Sequence, residues 1–341
     1  MCDIMCFAAS GEEPRSDVKI NQFPNYDAVI QVKSILSVAE YERIKNSFLG
    51  PILKVINRGL MMSGKMVHCF LSRSLKVSKE NELWMHFGGQ PMRFSIREFH
   101  MVTGLKCTEW GANEDQRQNR YDWANTEDAH TYEDVLDILQ GTDPEAADER
   151  YSLAMLILIE CIFFQKYRGN KLPAKNLKRA QHLDVLANYP WGKDAYNLLI
   201  KSVKKNVPSN LMKQKYDLHG YPLALHLWIL ESVPMLKSSF STLSVIERPS
   251  AYLCEKYTRT VNPSIAQVEN IEASNHEGVP QMHIRRIEHE TWKAFLKCTS
   301  GGSNTRYGEI ASGRVTSRPK PVIREIDITF SIYGEISIKA F

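Results

Sequence analysis

The run "YSLAMLILIECIFF", Tyr151 to Phe164, limits what this chain can fold into more than any other stretch. A helix that is apolar all round has no face to offer water. With Glu160 inside it, the run also falls short of the ~20 apolar residues needed to cross a bilayer. It therefore reads as a core helix that other elements must wrap. A chain of 341 residues can supply one large core or two. The segment "YDLHGYPLALHLWILESVPML", Tyr216 to Leu236, reads as a second buried helix, with Pro222 near its first turn and Pro234 at its end.

The elements around these two runs are marked by local signals. "LWMHF" and "MRF" flank Gly88 and Gly89 and predict a β-hairpin over 83–94. Directly after it, "RFSIREFHMVTGL" carries both a start and a stop. Ser95 and Glu98 form a capping box, and Phe94 and Phe99 have staple spacing. Ile96, Phe99 and Val102 share one face, Gly104 supplies a left-handed stop, and Leu105 folds back on the last turn. Upstream, "SVAEYERIKNSFLGPIL" fits a helix that starts on Ser37 and ends at Gly50-Pro51. Residues 1–38 read as a loose lead-in. The expected fold is mainly α (α+β): one helical domain over 39–237 with a small hairpin, then a polar tail over 238–341. That tail reads as linker-like over 255–320, with a short helix at "HETWKAFLK", and ends in a strand or hairpin over 322–341.

Charge is unevenly spread although the net formal charge is only +4. The segment 107–150 is rich in carboxylates from Glu109 to Glu149, against Arg117, Arg120 and Arg150. It reads as a largely solvated insertion holding one helix, "TYEDVLDILQG". The sign then reverses over 161–216. The cluster "KYRGNKLPAKNLKR" presents Lys166, Arg168, Lys171, Lys175, Lys178 and Arg179 with no acid among them. These six are the candidate binding surface, with Tyr167 available for stacking on a base. The acid-rich segment is expected to neutralise them.

Four segments, "NELWMHFGGQPMRFSIREFHMVTGLKC", "ERYSLAMLILIECIFF", "LDVLANYPWGKDAYNLLIKSV" and "YDLHGYPLALHLWILESVPML", together resemble a plant domain of unknown function over roughly residues 40–237. Proteins of Mutator-like transposons commonly carry that domain, often ahead of a SUMO-protease-type cysteine peptidase domain. The signature positions are Trp84, Gly88, Gly89, Arg93, Phe94, Ser95, Glu98, Phe99, Gly104, Leu105, Tyr189, Pro190, Trp191 and Gly192. The resemblance implies a structural role for them and brings no active site with it. The tail does not resemble the peptidase.

Motifs for chemistry are incomplete. "GLMMSGKM", Gly59 to Met66, approaches a phosphate-binding loop, but Met66 stands where a magnesium-holding hydroxyl is needed. "FSIREFHMVTGL" approaches the first half of a helix-turn-helix, yet "KCTEWGANEDQ" follows where a basic recognition helix should be. Seven scattered cysteines (Cys2, Cys6, Cys69, Cys107, Cys161, Cys254, Cys298) form no C-x-x-C pair, and no H-x-x-x-H exists to complete a zinc set. His276, His283 and His289 precede Cys298 without the framework that a cysteine peptidase needs. Trp191 reads as core beside "ALHLWIL" rather than as an anchor for a partner peptide. No cofactor, metal or catalytic residue is expected. The leading expectation is a non-catalytic interaction module of a transposon-derived plant protein, with an unknown protein partner. The alternative is a nucleic-acid-binding accessory domain using 166–179, and the third reading is a peptidase fragment without its catalytic domain. No membrane association is expected. Free thiols, no N-x-[ST] acceptor and no apolar secretory core predict an intracellular protein of nucleus or cytoplasm.

Overall fold

The computed structural model describes residues 18–21, 25–75, 77, 79–111, 117–124, 130–165, 169–210, 213–244, 252–276, 328–330 and 336–338. Two compact units divide the chain, Met1–Val279 and Pro280–Phe341. The fold is mainly helical with small two-stranded ribbons.

In the first unit, β1 (Lys19–Asn21) is followed by α1 (Asp27–Ile35), α2 (Val38–Lys45), α3 (Gly50–Asn57) and α4 (Gly64–Leu71). Ser37 starts α2 as expected, through a capping box: its N–H donates to Glu40 at 2.7 Å and its hydroxyl accepts from the Glu40 N–H. Gly50-Pro51 does not end this helix. The chain breaks over Asn46–Leu49, and Gly50 opens α3 with Pro51 in its first turn. Proline suits that place because the N–H it lacks would have no partner there. The lead-in also packs earlier than expected. Ala28, Val29 and Val32 of α1 are buried, and Ile20 of β1 lies opposite Tyr216.

The hairpin forms as β2 (Leu83–Phe87) and β3 (Gln90–Phe94), with Phe87 paired to Gln90. Gly88 and Gly89 both have positive φ, 55° and 75°, as a two-residue turn matching the strand twist requires. Then come α5 (Ile96–Thr103), α6 (Tyr132–Gly141), α7 (Ala147–Ile162), α8 (Ala174–Ala180), α9 (Leu183–Asn188), α10 (Trp191–Asn210) and β4 (Lys215–Asp217). After β4 lie α11 (Pro222–Ser232), α12 (Pro234–Phe240), β5 (Ser241–Leu243), α13 (Leu253–Lys256), β6 (Tyr257–Thr260) and α14 (Ile265–His276).

Two helices are the axes of the core. In α7 every residue from Ser152 to Ile162 is buried, wrapped by α1, α2, α6, α8 and α9. In α11 every residue from Pro222 to Leu230 is buried, wrapped by α4, α5, β3, α12 and α13. Where the two assemblies meet, the Phe163 ring sits edge-on to Tyr221 at 5.6 Å. Gln165 also donates its side-chain amide to the Gly220 carbonyl at 3.0 Å.

Two charge-rich segments pack more closely than their composition suggests. Within the acid-rich stretch, α6 buries Tyr132, Val135 and Leu139 against α7, and Trp123 is buried with its indole N–H on Glu149 at 2.9 Å. The 3-and-4 spacing of those apolar residues decides the packing, while the carboxylates take the outer face. Residues 252–276, expected to be tail and partly linker, bury Cys254, Tyr257 and Val268 in the first unit. Their charges tether rather than solvate. Glu255 pairs with Lys54 at 2.8 Å, Arg58 donates to the carbonyls of Glu255 and Tyr257, and Glu272 holds Arg73 at 2.7 Å.

In the second unit β7 (Ile328–Phe330) pairs antiparallel with β8 (Ile336–Ile338), Ile328 opposite Ile338. This is the hairpin expected at the end of the chain. The expected helix over 289–297 lies outside the described residues.

Candidate functional site

The basic cluster rises from α8 and the strand-like segment ahead of it. Lys171 pairs with Thr131 in a β-bridge, and the next N–H, on Leu172, donates to the His130 carbonyl at 2.8 Å. Pro173 then precedes α8, which turns Asn176, Leu177 and Ala180 inward. Lys171, Lys175 and Lys178 remain exposed, and none makes an ion pair among the described residues. Arg179 is held more firmly. Its guanidinium lies 3.8 Å from the centre of the Tyr189 ring and donates to Asn176 at 2.9 Å. Lys166, Arg168 and Tyr167 lie outside the described residues.

The acid-rich segment contributes to this surface mainly through its arginines, which sequence reasoning treated only as counter-ions. Arg117 donates to both oxygens of Asp184, at 3.0 and 2.9 Å. The backbone N–H groups of Arg120 and Tyr121 both donate to the Gln181 side chain, at 2.6 and 3.0 Å. Residues 117–124 are thereby fixed beside α8 and α9. The carboxylates near them have other partners: Asp134 caps α6 through Thr131, Glu149 accepts from Trp123, and Asp148 pairs with Arg43 at 2.9 Å. The expected neutralisation of the lysines is not seen among the described residues. No pattern in the sequence pointed to Arg117 and Arg120, because Gln181 lies 60 residues or more from the N–H groups it accepts.

The signature positions turn out to be packing devices brought together in space. Ser95 caps α5, with its N–H on Glu98 at 2.8 Å and its hydroxyl accepting from Arg97, and Arg93 pairs with Glu98 at 3.5 Å. Trp84 donates to Glu82, and Phe94 packs against Phe99, Tyr196 and Trp228. Gly104 ends α5 at φ 74°, under the Tyr252 ring. The second motif docks on the first. The Gly192 N–H donates to the Lys106 carbonyl at 3.0 Å, and a Cβ there would meet Leu105 and Cys107 at 2.7 and 2.8 Å. Tyr189 and Pro190 are buried at this junction, and Trp191, 2% exposed, donates its indole N–H to the Leu186 carbonyl. The tryptophan is core, as expected, but its ring packs against Tyr189 and Phe164.

The weaker motifs are absorbed in the same way. Leu60, Met62 and Met66 of the loop-like "GLMMSGKM" are buried, and Ser63 caps α4. No helix follows α5 over 104–111, and its Phe99 and Val102 are buried in the core. His68 faces the Tyr216 hydroxyl at 3.1 Å, while Arg73 donates to the Cys69 sulfur. Burial pushes the Cys69, Cys107 and Cys254 thiols up to about 12 and raises Cys161 further. Cys2, Cys6, His283, His289 and Cys298 lie outside the described residues, as does the side chain of His276. Among the described residues no group of three or more His, Cys, Asp or Glu side chains could hold a metal ion. No described helix is long and apolar enough to cross a membrane.

An open groove of about 650 Å³ runs between α1 and the α6–α7 turn, lined by Gln31, Ser34, Leu136, Gln140 and Asp143 with Arg150 at its base. Arg150 is already saturated. It donates to Glu40 at 2.5 Å through Nε and to Glu40 and the Ile35 carbonyl through one terminal nitrogen. The other reaches the Leu139 and Thr142 carbonyls. With five N–H groups used, it has none left for a ligand.

The elements described form a mainly helical unit with a small hairpin, in which the signature residues take part in packing, capping and turns. A family model described as Domain of unknown function (DUF1985) matches residues 71–202, from the end of α4 into α10. The chain therefore contains a domain of that description. No curated protein and no solved structure matches the chain.

Proposed function

We propose that the chain acts as a non-catalytic interaction module, of the kind that the resemblance associates with Mutator-like transposon proteins of plants. One observation carries this reading: the state of the thiols. Cys69, Cys161 and Cys254 are buried, and Cys107 is half-buried. Burial holds all four protonated, so none offers the thiolate that attacks a carbonyl. The buried imidazoles are equally unsuited to act as bases. His68 is engaged with Tyr216, and burial pushes His226 down to about 3. A sealed interior beneath a charged surface suits binding rather than turnover.

The test uses the full chain with a SUMO-precursor substrate and a thiol-reactive ubiquitin-like probe. No cleavage and no covalent adduct are expected. Cleavage or labelling that disappears in Cys298→Ser would overturn the reading in favour of a peptidase.

A further inference from the structure

We infer that the outer face of α8, extended by Arg117 and Arg120, binds the phosphate backbone of a nucleic acid. The inference rests on the interaction-module reading and names its partner class. Residues 117–124 and 169–184, joined through Gln181, gather six cations: Arg117, Arg120, Lys171, Lys175, Lys178 and Arg179. These segments themselves hold two carboxylates, Asp122 and Asp184, and Asp148 and Glu149 of α7 adjoin Arg120 and Trp123 but are engaged by Arg43 and the Trp123 indole. Holding like charges together on one face costs free energy that a polyanion relieves.

Five of the six cations are available at little cost. The three lysines are exposed without an ion pair among the described residues. The Arg117–Asp184 pair is solvent-exposed, with side-chain exposures of 44% and 64%, and such pairs contribute little. Arg120 reaches Asp148 only at 4.0 Å, and Arg43 holds the same carboxylate at 2.9 Å. The scaffold beneath is firm, because Arg179 is stacked on Tyr189 and Tyr189 packs against Trp191 and Trp110. Fixed cations on a rigid face suit a backbone of repeating phosphates, where contacts position the partner without reading its sequence.

The rest of the surface argues against a lipid headgroup array. A peripheral membrane site pairs its cations with apolar anchors. The large hydrophobic residues exposed among the described residues are Ile30, Val38, Met61, Met101, Leu243 and Val261, and none lies in 117–124 or 169–184.

The test is fluorescence anisotropy of a labelled mixed-sequence DNA duplex with the full chain between 50 and 200 mM salt. With four to six phosphates neutralised, log affinity should fall against log salt with a slope of about −4 to −5, a few hundredfold or more over this range. The triple variant Lys171→Glu/Lys175→Glu/Lys178→Glu should keep its melting temperature, lose at least tenfold in affinity at 50 mM salt, and show a shallower slope. Absence of duplex binding at 50 mM salt would overturn the inference, as would unchanged affinity in the triple variant. Displacement of the duplex by a polyglutamate peptide at equal charge concentration would overturn it in favour of an acidic protein. None of these outcomes bears on the thiol-probe experiment, so loss of the nucleic-acid partner leaves the non-catalytic reading standing.

Discussion

The two buried helices α7 and α11 solve one problem in opposite ways. Each is enclosed on all sides, and each carries a polar side chain into the interior. On α7 the charged groups are compensated, although the buried Ser152 hydroxyl has no partner among the described residues: Arg150 satisfies a carboxylate and three backbone carbonyls, and Glu160 accepts from Asn176. On α11 the polar group is not. His226 is fully buried, and neither ring nitrogen has a hydrogen-bond partner among the described residues. Burial alone pushes its pKa down to about 3. The α7 assembly is thus tied by a charged hub buried at its centre across α1, α2 and α6. The α11 assembly is apolar along Pro222–Leu230 apart from His226 and takes its charged ties at the edge, where Glu231 accepts from Tyr257 and Lys237. Buried polarity strengthens a core only where each donor and acceptor is met.

The largest effect should come from breaking the hub. Arg150→Met strands the Ile35, Leu139 and Thr142 carbonyls and leaves the Glu40 carboxylate only its Ser37 partner, and should cost about 3–5 kcal/mol in urea unfolding. A loss below about 1 kcal/mol would mean that α7 is held by packing in the same way as α11.

The next effect is one of pH and belongs to α11. Unfolded His226 takes up a proton below its ordinary pKa of about 6.5, while the folded side chain stays neutral down to about 3. Stability is therefore complete above pH 6.5 and falls as pH drops through this window, by about 2 kcal/mol at pH 5. His226→Leu should remove that loss. Glu40 does not confuse the measurement. Burial raises its pKa, but the hydrogen bonds from Arg150 and Ser37 outweigh that and hold it below the usual carboxylate value, so its contribution fades only at lower pH. An unchanged slope between pH 5 and 6.5 in the variant would move the pH sensitivity away from α11.

The smallest effect tests the local signals. Ser95→Ala removes the cap of α5, which packs directly on α11, and should lower stability by about 1 kcal/mol. No change in melting temperature would show that α5 is held by Phe94 and Phe99 alone.

What the sequence made legible follows the same division. The apolar runs of α7 and α11, the Gly88-Gly89 turn and the box of Ser95 and Glu98 are written within a few residues, so they could be read directly. The hub could not. Arg150 sits among carboxylates and looks like a surface counter-ion, and its partners lie up to 115 residues away. Gly50-Pro51 carries the same residues whether a helix stops or starts there, and only packing decides which. In 252–276 a few buried residues among many polar ones left no periodicity to follow. For the candidate site, the lysines of α8 were visible as a run, whereas Arg117 and Arg120 join them only through contacts that the fold creates.

The parallel pairing of β1 with β4 sets a timetable for biosynthesis. Asn21 donates to Asp217 at 2.9 Å across 196 residues of chain. At translation rates of about 5–20 residues per second, the first strand waits roughly 10–40 s before its partner has been made. Throughout that interval Val18 and Ile20, both buried in the finished fold, have no strand to cover them. α4 packs on β1 and is made early, so the strand is covered on one side first, and its parallel ladder closes only after most of the first unit has been synthesised.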